Sequence, residues 1–95
     1  MSKYAYWKYA ERSVAKKLGG RRIVEKGIQT HDVETDWLVV EVKTRKKLPQ
    51  WLTKAVALNR IKSPDNKLPV VILKSPSVSV SLVIMDLTDF KDWFD

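Results

Sequence analysis

The chain has 95 residues, 44% hydrophobic and 31% charged, a globular usage that excludes wholesale disorder and leaves room for one domain, residues 1–95, around one modest core. It has no cysteine, which excludes disulfides and thiolate metal sites, no apolar run long enough to span a membrane, and no signal-peptide core in its opening residues, so a cytoplasmic protein is expected. The net charge of +7 is uneven: residues 1–62 carry fifteen Lys/Arg against six Asp/Glu, whereas residues 63–95 carry three against five. A basic face of this kind attracts polyanions such as nucleic acid by releasing counterions; a merely Lys-rich solvated surface is the plain alternative.

Residues 3–18 read as a helix, with Trp7, Ala10, Val14, Ala15 and Leu18 at helical spacing and Gly19-Gly20 as the stop. Arg21 to Glu25 reads as a short strand ending in a turn at Lys26-Gly27. Two runs, about 29–34 and 37–44, then form a hairpin around Thr35-Asp36. Pro49 suits the first turn of a second helix that runs to about Lys62, with Leu52, Ala55, Val56 and Leu58 as apolar positions. Ser63 to Asn66 is turn chemistry, residues 69–74 a β-branched run expected to be buried, and residues 77–85 a final strand nearer an edge. Thr88 reads as the N-cap of a closing helix that carries Phe90, Trp93 and Phe94. The order is α-β-β-β-α-β-β-α, an α/β chain in which a helix between the third and fourth strands permits a parallel pair in a mixed sheet.

The chemistry concentrates in Trp37 to Lys43. Strand alternation puts Leu38, Val40 and Val42 on one face and Glu41 and Lys43 on the other, where two charged groups require an explanation. If Thr35-Asp36 is the loop, Glu34 pairs with Trp37, and Asp32 falls opposite Val39, on the same face as Glu41 and diagonal to it. Diagonal neighbours lie about 7–8 Å apart, close enough for two carboxylates to share Mg²⁺ at about 2.1 Å from each oxygen. Glu34 lies too far along the ladder, Asp36 belongs to the turn, and His31 falls on the opposite face from Asp32 and is given no role.

The spacing of Asp32, Glu41 and Lys43, an acid on one strand and Glu-x-Lys on the next, resembles the PD-(D/E)XK nuclease superfamily. His31 stands where that motif has proline. Over about residues 5–75 the element order resembles archaeal and phage Holliday junction resolvases, although Lys26 to Thr30 shows no counterpart of their serine-containing loop. The resemblance implies a restriction-endonuclease-like mixed β-sheet flanked by helices. It implies Mg²⁺ or Mn²⁺ held by Asp32 and Glu41, with Glu11 on the first helix assisting and Lys43 orienting a water or stabilising developing charge. The expected reaction is phosphodiester hydrolysis in branched DNA such as four-way junctions, by a homodimer suited to symmetrical cutting, in the host cytoplasm if the protein is phage-encoded. Arg45, Lys46, Lys47, Lys16, Lys17, Arg21 and Arg22 are the candidate phosphate contacts. The aromatic cluster Tyr4, Tyr6, Trp7 and Tyr9 lies on a helix, where core packing for Trp7 and a dimer contact for the tyrosines are expected rather than base stacking. Competing readings are a nickase or repair nuclease on the same scaffold, a non-catalytic basic nucleic-acid-binding module whose acids are structural, and a subunit of a larger complex.

Overall fold

The computed structural model describes residues 3–24 and 31–95; the turn expected at Lys26-Gly27 and the strand start expected at residues 29–30 lie outside them. The elements follow the expected order: α1 (Lys3–Leu18), β1 (Arg21–Arg22), β2 (Val33–Glu34), β3 (Val39–Val40), α2 (Gln50–Lys62), β4 (Val71–Ser75), β5 (Val78–Ile84) and α3 (Leu87–Phe94). The chain is thus mixed α/β, with three helices among the described residues. The described strands form two antiparallel sheets, β1-β2-β3 and β4-β5, and the parallel pair expected across α2 is not among the described pairs. The residues cluster into two compact units, Met1–Lys46 and Lys47–Asp95.

In the first unit, α1 stops where glycine permits it to stop. Gly19 takes φ +68°, and the amides of Gly19 and Gly20 donate to the carbonyls of Lys16 (3.3 Å) and Ala15 (2.9 Å), a Schellman end to the helix. Gly20 is needed for a different reason. A Cβ there would overlap the Glu34 carbonyl and stand 2.7 Å from Thr35 Cγ2, so the chain leaves the helix in tight contact with β2. The strands pair as Arg21 with Glu34, Arg22 with Val33, Val33 with Val40 and Glu34 with Val39. Alternation follows from that register: Arg22, Val33 and Val40 share the face toward α1, and Arg21, Glu34 and Val39 share the other. Val33 is fully buried, and α1 brings Ala15 and Glu11 into the same interior. Trp7 is exposed rather than in the core; its ring lies 5.6 Å from the Arg22 guanidinium and 5.6 Å from Lys8 Nζ.

The hairpin closes one residue later than the sequence pattern predicts. Thr35 N–H donates to the Leu38 carbonyl at 3.0 Å, so Asp36-Trp37 is the two-residue loop and not Thr35-Asp36. The Thr35 hydroxyl decides this, because it accepts from the amides of Trp37 (3.3 Å) and Leu38 (3.1 Å). A loop displaced by one residue at constant length moves every cross-strand partner by two, so the faces are preserved.

In the second unit, Pro49 precedes α2 and its carbonyl accepts from the Leu52 and Thr53 amides at 3.1 and 3.2 Å. Asn59 Nδ2 donates to the Val70 carbonyl at 2.9 Å, tying α2 to the start of β4. The β4–β5 hairpin pairs Val71 with Ile84, Ile72 with Val83 and Leu73 with Leu82, with an irregularity between Leu73 and Ser75. β4 alternates between half-buried and exposed over Val71–Lys74 instead of being buried throughout, and β5 is exposed up to Val83: Ile72 is 53% exposed, opposite Val83 at 61%. The N-cap of α3 is Asp86, not Thr88; its carboxylate accepts from the Thr88 amide at 2.8 Å. Phe90 and Phe94 meet one turn apart at 5.0 Å.

Arg60, near the end of α2, grips the start of α3. Its Nε and Nη2 donate to the two Asp89 oxygens at 2.6 and 3.0 Å, and its Nη1 lies 3.6 Å from Asp86. Burial pushes the Asp86 carboxyl up, but the Thr88 amide and the Arg60 charge outweigh it and hold the group below its ordinary value. A carboxylate with a depressed folded-state pKa contributes stability above its unfolded value of about 3.9 and loses it as pH falls through the lower folded value. Urea unfolding should therefore show a midpoint that drops below about pH 4. Arg60→Ala should lower the midpoint at neutral pH and flatten that acid dependence; an unchanged acid limb would show that the clamp does not couple to it. Gly20→Ala should cost about 1–3 kcal/mol in the same measurement, from forced overlap with β2.

Candidate functional site

The candidate residues lie where the β2–β3 ladder gives way. Beyond the Val33–Val40 pair, the Asp32 amide donates to the Val40 carbonyl at 2.9 Å, one residue out of register, while the Asp32 carbonyl accepts from the Ile23 amide at 2.9 Å. The Val42 amide donates to Asp32 Oδ2 at 2.7 Å. The described pairing of β3 covers Val39–Val40, shorter than its sequence pattern, which runs to residue 44. Exposure still alternates through Thr44: Leu38, Val40, Val42 and Thr44 are half-buried, and Val39, Glu41 and Lys43 are exposed.

Asp32 is thereby pinned to the backbone of the residue that follows Glu41. Glu41 itself pairs with Lys43, Oε2 to Nζ, at 3.3 Å, as expected for residues two apart on one strand face. Both side chains are more than half exposed, so this pair contributes at most about 1 kcal/mol to stability. Folding does not require it.

Glu11 is placed elsewhere. It is 5% exposed, and its Oε1 accepts from Arg22 Nε at 2.7 Å on the α1 side of the sheet. The structure brings Glu11 to Arg22 and does not bring it together with Asp32 and Glu41; among the described residues no three acids or histidines form a metal-binding group. Glu11 is a buried counter-ion to Arg22. The Arg22 side chain, 16% exposed, is likewise drawn inward and does not offer its guanidinium to solvent as the other candidate phosphate contacts do.

Asp32 and Glu41 retain the donor chemistry for a hard divalent cation, since Mg²⁺ is commonly held by one or two carboxylates and completed by water. Of the candidate phosphate contacts, Lys16 and Lys17 are exposed in the last turn of α1. Arg21 is exposed and paired with Glu34 across the ladder. Arg45 is exposed with Nη1 on the Thr44 carbonyl at 2.8 Å, Lys46 is exposed beside it, and Lys47 opens the second unit. Trp37, 60% exposed at the hairpin tip, and Val39, 63% exposed between it and Glu41, were not singled out by the charge pattern. The signal was present in the odd positions of residues 37–43, which carry an aromatic, a valine, a carboxylate and an amine in turn.

Compared with protein-family models, curated proteins and solved structures, the chain matches none. No helix among the described residues is long and apolar enough to cross a membrane.

Removing the Glu11 carboxylate strands a guanidinium in a largely dry setting. Glu11→Ala should destabilise the chain by about 3–5 kcal/mol in metal-free buffer, as for a broken buried ion pair. A metal ligand would behave in the opposite way, leaving metal-free stability unchanged or raised, so denaturation in EDTA separates the two roles.

Proposed function

We propose that this chain is a metal-dependent DNA endonuclease that hydrolyses phosphodiester bonds in branched DNA, on a restriction-endonuclease-like fold and as a homodimer. The observation that carries this reading is the Asp32 carboxylate bonded to the Val42 amide, which holds an acid from one strand beside Glu41 and Lys43 on the next.

Asp32 and Glu41 would hold Mg²⁺ or Mn²⁺, with Glu11 acting only through the sheet it anchors. When bound, the cation would acidify a water and neutralise charge on the attacked phosphate. Lys43 exchanges its exposed contact with Glu41 for the negative charge that develops on the phosphate oxygens. Lys16, Lys17, Arg21, Arg45 and Lys46 fix the DNA backbone without reading its sequence. A two-fold dimer suits a junction whose two strands are cut symmetrically.

A second reading draws on the Glu41–Lys43 contact and on the absence of a three-acid group among the described residues. These fit a basic nucleic-acid-binding module whose charged strand face is structural. Cleavage separates the two. On a four-way junction with Mg²⁺ or Mn²⁺, Lys43→Ala should lower the rate by about 100–1,000-fold, and Glu41→Ala by at least as much, with binding retained. Both side chains are exposed, so both variants should fold. A junction that is bound but never cut under several metals, with binding unchanged by either substitution, would leave the binding module standing.

A further inference from the structure

We infer that Trp37 is a stacking platform for an unpaired nucleobase, set beside the Glu41–Lys43 pair; the inference deepens the nucleic-acid part of the reading above and rests on it. A large indole 60% exposed at the tip of a hairpin contributes little to folding by burial. Its backbone is nevertheless firmly held. Thr35 Oγ1 accepts from the Trp37 and Leu38 amides at 3.3 and 3.1 Å, and the Thr35 amide donates to the Leu38 carbonyl at 3.0 Å. A ring presented from a bonded two-residue loop loses little conformational entropy when it takes a ligand.

The surroundings fit a nucleotide better than an apolar protein surface. Val39 extends the exposed apolar strip toward Glu41, about 13 Å from Trp37 at strand rise, or about four stacked nucleotides of one strand. Beyond it the strand turns cationic, with Lys43, Arg45 and Lys46 exposed. The neighbouring acids Glu34 and Glu41 are neutralised by Arg21 and Lys43. Asp36, next to Trp37 in the loop and exposed, keeps phosphate from the tip itself, so the ring takes the base and the phosphate lies toward Lys43. An aromatic ring followed by a basic track is the pairing that binds single strands. Bases inside a duplex have both faces stacked, so the platform selects single-stranded DNA and branch points.

The test is fluorescence anisotropy of labelled oligo-dT, a blunt duplex and a four-way junction, in EDTA so that no cleavage intervenes. Trp37→Ala should weaken oligo-dT and junction binding by about 5- to 100-fold and leave duplex binding unchanged, while Trp37→Phe keeps most of the affinity. The quenching of tryptophan emission by oligo-dT should shrink in Trp37→Phe, although its fold, followed by circular dichroism, is intact. Equal affinities for wild type and Trp37→Ala would overturn the inference, as would the absence of oligonucleotide binding by the wild type. So would an equal loss on all three DNAs, or a change of oligomeric mass in Trp37→Ala with DNA binding unaltered, which would make the ring a protein contact. Because the readout is metal-free binding, its failure is distinct from a failure of cleavage.

Discussion

The Glu11–Arg22 pair is the interaction on which the first unit turns. Only Ala15 and Val33 are buried apolar residues among the described ones, and neither is large. In that small interior an ion pair at 2.7 Å is the dominant feature, and each charge carries a desolvation cost of several kcal/mol that close geometry must offset. The Trp7 ring over the guanidinium supplies a second contact at a face that water would otherwise occupy. Once Arg22 must face α1, strand alternation leaves no further choice. Val33 and Val40 face α1 with it, and Arg21, Glu34 and Val39 face away. A one-residue slip would expose Val33 and bury Glu34, so the pair specifies register as much as it holds the helix.

The outer face inherits its character from that constraint. Its carboxylates are met by cations placed across or along the strands, Glu34 by Arg21 and Glu41 by Lys43. Asp32 accepts from the Val42 backbone amide. Among the described strands β3 is an edge of its sheet. Edges invite pairing with other chains, and a run of cations such as Lys43, Arg45 and Lys46 discourages it. The same cations that guard the edge are the ones a phosphate backbone would meet.

Much of this was legible in the sequence, for reasons that differ by element. The span of α1 follows from its helical apolar spacing and from two glycines that no other residue could replace at such small cost. The faces of Leu38 to Lys43 follow from alternation, which survives an error in the loop because a displaced two-residue loop preserves parity. The loop itself was misplaced because Thr35 looks like a turn residue by type, yet acts as the acceptor that closes the turn from outside. Thr88 was read as a cap for a similar reason, when it is the donor to Asp86 two residues earlier. Glu11 sits at the border of the apolar helix face, and its pairing with Arg22 was not legible because it depends on the β1 register, eleven residues away.

Charge pattern and fold then combine into a sharper statement than either alone. The surplus of lysine and arginine over residues 1–62 could have been spread over every surface. In the first unit the structure divides it instead: Arg22 goes inward to Glu11, while Arg21 and Lys43 neutralise acids on the outer face. The exposed cations that form no ion pair include Lys16 and Lys17 at the end of α1, and Arg45 and Lys46 beyond the edge strand. A helix C-terminus already favours cations there, which accounts for Lys16 and Lys17 without any ligand. Arg45 and Lys46 have no such local cause. They follow directly on a strand that presents an indole, a valine, a carboxylate and an amine to solvent, and this sequence of groups along one edge is what a polyanion with unpaired bases would meet.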